Sequence, residues 1–306
     1  MFNFRCILGL FFSLFLLYLQ GCDDLAENEY EPDFSPESGV DSQALIFGVH
    51  PLHNPQRLFS VYQPLIDYLN RKHKQPVIRL EASRNYAAFN ARLFRGYYHF
   101  ALPNPYQTIV AADSGYTIFA KMGDDHNFHG IILVRKDSSI RKVSDLAGKS
   151  ISYPAPTALA ATMLPQWFFY SHGLDLMHDT RRLYVGSQES SIMNVYLGQV
   201  AAAATWPPPW QAFSRENPAI AREVKIMWQT RSLPNNGLVY RSDLAKDIVA
   251  NVTHDLLQLH THVAGREILR RMELSRFEWA NYQTYDPVRQ FIAQFERHLR
   301  PVRSAE

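Results

Sequence analysis

The chain has 306 residues, 46% of them hydrophobic, with a formal net charge of +2 and two cysteines. That length supports a large core spread over one or two domains, and the near-neutral sum gives no polybasic signature of nucleic-acid binding. Two cysteines rule out a small scaffold held together by several disulfides.

Residues 1–22 begin with one basic residue, Arg5, followed by an apolar run from Cys6 to Leu19, and end on Leu19-Gln20-Gly21-Cys22. The apolar run is shorter than the ~20 residues of a membrane-spanning helix, and the layout is that of a secretory signal peptide. Its end resembles the bacterial lipobox, which implies lipidation at Cys22 and a lipoprotein signal peptide over 1–22. Between Asp23 and Asp41 lie eight acidic residues and no basic one. Such a run buries too little apolar surface to fold, so 23–43 reads as an acidic flexible tether. An acidic residue directly after a lipobox cysteine resembles the signal that keeps lipoproteins on the periplasmic side of the bacterial inner membrane. Residues 42–306 keep 30 basic and 21 acidic residues, a balance that favours anionic ligands or surfaces.

From Ala44 strand and helix patterns alternate. Ala44–Val49 is a strand candidate, and Gln56–Lys72 carries apolar residues at helical spacing (Leu58, Tyr62, Leu65, Ile66, Leu69). Further segments follow at 77–80, 86–94, 98–102, 104–112, 116–120 and 129–134. A second series starts near Lys136, with a strand at 150–153, a helix at 157–171, and segments at 183–185, 190–197, 200–204 and 224–228. A strand at 237–240 leads back, and helices occupy 244–260, 263–272 and 286–299. This order predicts an α/β fold of two lobes, the second inserted into the first: 44–134 and 235–300 form lobe 1, and 135–234 form lobe 2. Two crossings between lobes allow a hinge, with a ligand cleft between them.

Several motifs along this series occur in a known order. They are Phe47-Gly48-Val49 with Asn54-Pro55, Tyr62-Gln63-Pro64-Leu65 with Tyr68-Leu69, and Asn85-Tyr86-Ala87-Ala88. Val134-Arg135-Lys136-Asp137-Ser138, Val143-Ser144-Asp145-Leu146-Ala147-Gly148-Lys149 and Tyr285-Asp286-Pro287-Val288-Arg289 complete the set. Over about 45–295 the chain resembles the substrate-binding proteins of phosphate/phosphite/phosphonate ABC transporters. The resemblance implies the type II periplasmic-binding-protein fold, a small-molecule ligand held by lobe closure, an ABC permease as partner, and no enzymatic activity. Binding proteins of this fold also serve membrane sensor kinases or cyclases, which keeps a ligand-sensing role open.

The resemblance also points to site residues. The family's D-P-x-S-T-S-G stretch, where a helix start cradles an anion, reads here Ala155-Pro156-Thr157-Ala158-Leu159-Ala160-Ala161. Its G-H-[DE] element becomes Ser187-Gln188-Glu189, and the segment after the next strand is Thr205-Trp206-Pro207-Pro208-Pro209-Trp210, without an acid. The expected cleft set joins Tyr62, Tyr86, Thr157, the N–H of Ala158, Gln188 and Glu189 from the resemblance with Asn104 and Trp206, which follow strands, and His129, at the lobe crossing. Each has a structural reading beside it: core packing for Tyr62 and Trp206, helix capping for Asn104 and Thr157. With Glu189 in the cleft, the expected ligand is zwitterionic, aromatic or neutral.

The three prolines predict an extended, stiff turn. His50, His53, His126, His129, His260 and His262 lack the convergent spacing of a metal site. No nucleophile elbow, P-loop or dinucleotide fingerprint is present. The chain is expected to work without metal or cofactor, as a monomer.

Overall fold

A computed structural model describes residues 44–73 and 76–302. The expected signal peptide, the tether and Cys22 lie outside the described residues. Two mixed sheets carry the architecture.

The first begins with β1 (Leu45–Val49), followed by α1 (Pro55–Lys72), β2 (Ile78–Ala82), α2 (Tyr86–Phe94), β3 (Phe100–Leu102), α3 (Pro105–Ala112) and β4 (Tyr116–Met122). β1 pairs in parallel with β2 and β3, the arrangement that helical crossovers produce. α1 starts where the sequence says it should: the Asn54 side chain accepts from Arg57 N at 2.9 Å, Pro55 follows, and Arg71 and Lys72 close the last turn. Its buried residues, Leu58, Val61, Tyr62, Leu65, Ile66 and Leu69 among them, follow the 3.6-residue period.

The second sheet contains β5 (His129–Arg135), β6 (Ser150–Tyr153), β7 (Arg181–Tyr184), β8 (Ala202–Thr205) and β9 (Val224–Ser232), in the order β7-β6-β8-β5-β9. Between them run α4 (Leu164–Ser171), α5 (Gln188–Tyr196), α6 (Pro207–Glu216) and α7 (Pro218–Glu223). β5 pairs antiparallel with β8 and β9. It therefore belongs to the second sheet, whereas the sequence reading ended the first lobe at 134. The segments that cross between sheets are 123–128 and 233–236.

The chain then returns to the first sheet with β10 (Gly237–Arg241) and β11 (Phe277–Trp279), giving the order β11-β4-β10-β3-β1-β2. α8 (Lys246–Gln258), α9 (Val263–Arg271) and α10 (Asp286–His298) complete the described chain. Among the described residues no helix is long and apolar enough to cross a membrane.

The crossings are stitched to each other and to the first sheet. Asp124 takes a left-handed conformation (φ 58°), and its carboxylate accepts from Ser275 N and Oγ, both at 2.7 Å. Asp125 Oδ1 accepts from Lys121 Nζ at 2.8 Å and from Asn235 N at 3.0 Å. Asn235 Nδ2 donates to Gly123 O at 2.8 Å, and Tyr285 Oη donates to Asn235 O at 2.7 Å.

Two local features differ from the sequence reading. The expected helix at 157–171 opens with a π-helical turn, Leu159–Met163, before α4. Pro165 supplies no N–H to the i−4 ladder, and Leu164 N reaches back to Leu159 O, one residue further than an α-helix allows. Pro207, Pro208 and Pro209 do not form an extended turn. They are the first turn of α6, where backbone N–H groups have no intrahelical partner to lose.

Candidate functional site

Parallel strands deliver their following residues to one edge of a sheet, and in open α/β sheets that edge faces the ligand crevice. His50 follows β1 and Asn104 follows β3. The segment 155–161 follows β6, and Trp206 follows β8. These residues meet. His50, Tyr86, Asn104 and Asn236 from the first-sheet side face Ala158, Leu159, Ala160, Ala161, Gln188 and Trp206 from the second-sheet side. Phe128, on the first crossing, completes the wall. The space between them is about 10 Å3, room for roughly one water.

Each polar wall residue is held by its neighbours. Asn104 caps α3, accepting from Gln107 N at 3.1 Å, while Gln107 Oε1 accepts from Asn104 N at 2.9 Å. Its spare Nδ2 crosses to the other sheet and donates to Thr157 O at 3.0 Å. Gln188, the first residue of α5, accepts from Thr205 Oγ1 at 2.8 Å and turns Nε2 toward Tyr86 Oη at 3.5 Å. Trp206 is 3% exposed and meets Phe128 edge to face, with ring centroids 5.4 Å apart. Gly130, on β5, admits the loop closely: a Cβ there would sit 2.5 Å from Ala160 O.

None of the wall residues is a carboxylate, lysine or arginine. Burial lowers the pKa of His50 to about 4, against the raising effect of its bond to Leu102 O, so the ring is neutral at neutral pH. His50 Nδ1 lies 2.9 Å from that carbonyl and donates to it, which leaves Nε2 bare. Burial raises the Tyr86 phenol and keeps it protonated. Asn236 is fully buried, and its Oδ1 has no hydrogen-bond partner among the described residues.

Of the residues expected in the cleft, Tyr86, Asn104, Ala158, Gln188 and Trp206 line this cavity; four do not. Tyr62 is buried on the inner face of α1 among core residues, which is the packing role its helical period allows. His129 begins β5 and pairs its Nδ1 with His126 O at 2.9 Å. Thr157 contributes its carbonyl to the bond with Asn104. Glu189 is not among the residues that line the cavity. Asn54 Nδ2 donates to both of its carboxylate oxygens, at 3.1 and 2.9 Å, across the two sheets.

From that placement Glu189 is expected to act on closure of the two sheets rather than on ligand charge. Glu189→Gln is expected to leave the preference between anionic and neutral solutes unchanged. Affinity should fall about two- to fivefold, the scale of an exposed charge-assisted bond that holds the closed form. Dissociation constants for one anionic and one neutral solute check this; a switch toward anions would put the carboxylate at the ligand after all.

His50, Phe128, Leu159, Ala160, Ala161 and Asn236 were not in the expected set. His50 had a usable signal, its place directly after the first strand. Asn236 sits on the return crossing, where nothing local marks it.

A sequence model of the family described as ABC transporter, phosphonate, periplasmic substrate-binding protein matches residues 47–285. Comparison with curated proteins returns no match. Among solved structures, a binding-protein component of an ABC phosphonate transporter from Pseudomonas aeruginosa superposes with a TM-score of 0.78 at 18% identity, covering 84% of this chain and 88% of that one. PhnD1 from Prochlorococcus marinus, in complex with methylphosphonate, gives 0.76 at 17% identity over 83% of this chain and 99% of its own. A Xanthomonas citri protein bound to ATP gives 0.66 at 18% identity over 86% and 99%. At these identities the structures share the type II fold with this chain.

Proposed function

The chain belongs to the family of phosphonate-type periplasmic substrate-binding proteins of ABC transporters, and from that premise we propose that it captures one small solute between its two sheets and presents it to a membrane permease. The observation that carries this reading is the cavity whose walls come from both sheets at the strand C-termini. The two sheets act as lobes hinged at 123–128 and 233–236. With room for about one water, the described conformation is a closed one, so a solute reaches the cavity only when the lobes part. Binding free energy then draws the lobes together through bonds such as Asn104 to Thr157 and Asn54 to Glu189. Cys22 carries the lipid, and the acidic segment 23–43 tethers the receptor to the membrane.

Thermal unfolding of the protein against phosphate, phosphite, alkylphosphonates, sulfonates, amino acids and neutral aromatic solutes tests the receptor reading. A solute at 100 times its Kd adds about 2.7 kcal/mol, expected as a rise of roughly 5–10 °C in Tm. No shift with any solute would contradict it. Loss of uptake of the stabilising solute in a deletion strain supports the permease as partner, whereas unchanged uptake would favour a sensor kinase or cyclase in its place.

A further inference from the structure

The cavity wall carries no charged side chain, yet the two lobes face each other across two ion pairs. Arg215 and Glu216 close α6, and each reaches back to the first lobe. Glu216 accepts from Arg57 Nη1 in the first turn of α1, and Arg215 Nη2 donates to Glu273 just after α9. The pairs are crossed, since the second lobe offers an anion to α1 and a cation to the turn after α9. The Arg57 side chain is 16% exposed, and its Nε is buried without a hydrogen-bond partner. Glu216 is its one carboxylate among the described residues, and parting the lobes strips it away.

Glu273 takes a left-handed conformation (φ 54°) past the α9 cap, where glycine is the common residue. Among the described non-glycine residues only Asp124 shares a positive φ. Both put a carboxylate to use at the turn 273–275. Asp124, on the first crossing, holds Ser275, and Glu273 holds Arg215 of the second lobe. α6 joins these pairs to the cavity. Its cap, Trp206, is a wall residue, and Glu216 lies about 15 Å further along the axis. Pro207, Pro208 and Pro209 fix its first turn, and Ala212 and Phe213 are buried, so the helix moves with the second lobe as a unit.

We propose that Arg57–Glu216 and Arg215–Glu273 latch the closed form, so that closure, and with it solute affinity, depends on ionic strength although no charge lines the cavity. The inference rests on the solute-receptor reading above. The four are positioning residues, acting on the solute only through the lobes. Each pair multiplies the closed-to-open ratio by about 1.5 to 5, and the two together by about three- to tenfold at low salt. Salt screens that gain. Where the open form predominates, the same factor passes directly into the dissociation constant.

Charge exchange tests the latch. Glu216→Arg sets two cations against each other, and adding Arg57→Glu restores the pair in reverse. Both changes suit their helices, with glutamate in the first turn of α1 and arginine in the last turn of α6. Arg215→Gln removes the other pair at an exposed position and stands by itself should the exchange fail to fold. Calorimetric titration of the full-length protein uses the panel solute that raises Tm most, in about 0.05 and 0.5 M sodium chloride. Small-angle scattering of the same proteins without solute reads lobe separation.

Wild-type affinity is expected to fall about three- to tenfold with salt. Glu216→Arg should bind about five- to tenfold more weakly at low salt and recover as salt rises, the opposite slope. Arg215→Gln should bind about two- to fivefold more weakly and lose part of the salt dependence. The double variant should return to within about twofold of the wild type and regain its slope. In a receptor already mostly closed without solute, the same changes read instead as a larger radius of gyration for Glu216→Arg, reversed in the double variant. Equal salt slopes and equal radii across the series overturn the latch, as does a double variant no better than Glu216→Arg. If no panel solute binds, the receptor reading falls and the scattering comparison decides the latch alone.

Discussion

Trp206→Ala is expected to lower the unfolding free energy by about 3–5 kcal/mol and to abolish stabilisation by any solute. The indole is 3% exposed, belongs to the core cluster shared with first-sheet residues, and packs edge to face on Phe128. Truncation leaves a cavity under the crossing that joins the sheets, where the surrounding strands are hydrogen-bonded and cannot collapse inward. In a chain of this size the loss corresponds to roughly 10 °C in Tm. Trp210→Ala provides the contrast: Trp210 is half-buried and stacks on Phe213 at 6.4 Å, away from the cavity. It should cost about 1 kcal/mol and leave solute binding intact. Denaturant unfolding of both variants checks the pair. A loss below about 1 kcal/mol for Trp206→Ala would show that the indole is not part of the core.

Stability is expected to fall steeply with pH between 6.5 and about 4, with His50 as a principal cause. The unfolded ring takes up a proton at its ordinary pKa of 6.5, whereas burial lowers the folded value to about 4. Between those values the unfolded state binds more protons than the folded one, so lowering the pH favours unfolding. The contribution is complete above pH 6.5 and is lost on the way down to about pH 4, at up to about 1.4 kcal/mol per unit. The full loss is on the order of 3 kcal/mol. His53 is lowered in the same direction, by burial first and then by Arg57 and His50. His50→Gln keeps a donor for Leu102 O and removes the titration, so its stability should change less over this interval than the wild type's. Urea midpoints at about pH 7 and about pH 4.5 read the difference. Parallel pH dependence in the two proteins would mean that His50 titrates freely in the folded state.

The parts of the fold that local rules control were legible in the sequence. The spacing of Leu58, Tyr62, Leu65 and Leu69 placed α1 from Gln56, one residue inside its start at Pro55. The alternation of short apolar runs with helical periods gave two α/β units and the return at 237. Asn104 was readable twice over, as a cap by its residue type and as a wall residue by its place after a strand. What failed depended on partners distant in the chain. Helical position puts Glu189 in the first turn of α5, but only the folded chain brings Asn54 to its carboxylate. His129 looked like an end of the first lobe because pairing with β8 and β9 leaves no local mark. The three prolines suit an extended turn and a helical first turn equally by φ, and the helix continuing through Ala212 and Phe213 decides between them. Asn236 was invisible because an unsatisfied buried acceptor is a property of the assembled cavity rather than of any stretch of sequence.

The central claim is that one solute is held by both sheets at once. The most direct test is the calorimetric affinity of the stabilising solute for Asn104→Ala and Gln188→Ala, one change in each wall. Both variants are expected to lose at least about tenfold in affinity, the scale of one or more buried hydrogen bonds. If either variant binds as the wild type does, the solute sits on one sheet alone, and the account of capture by closure is wrong.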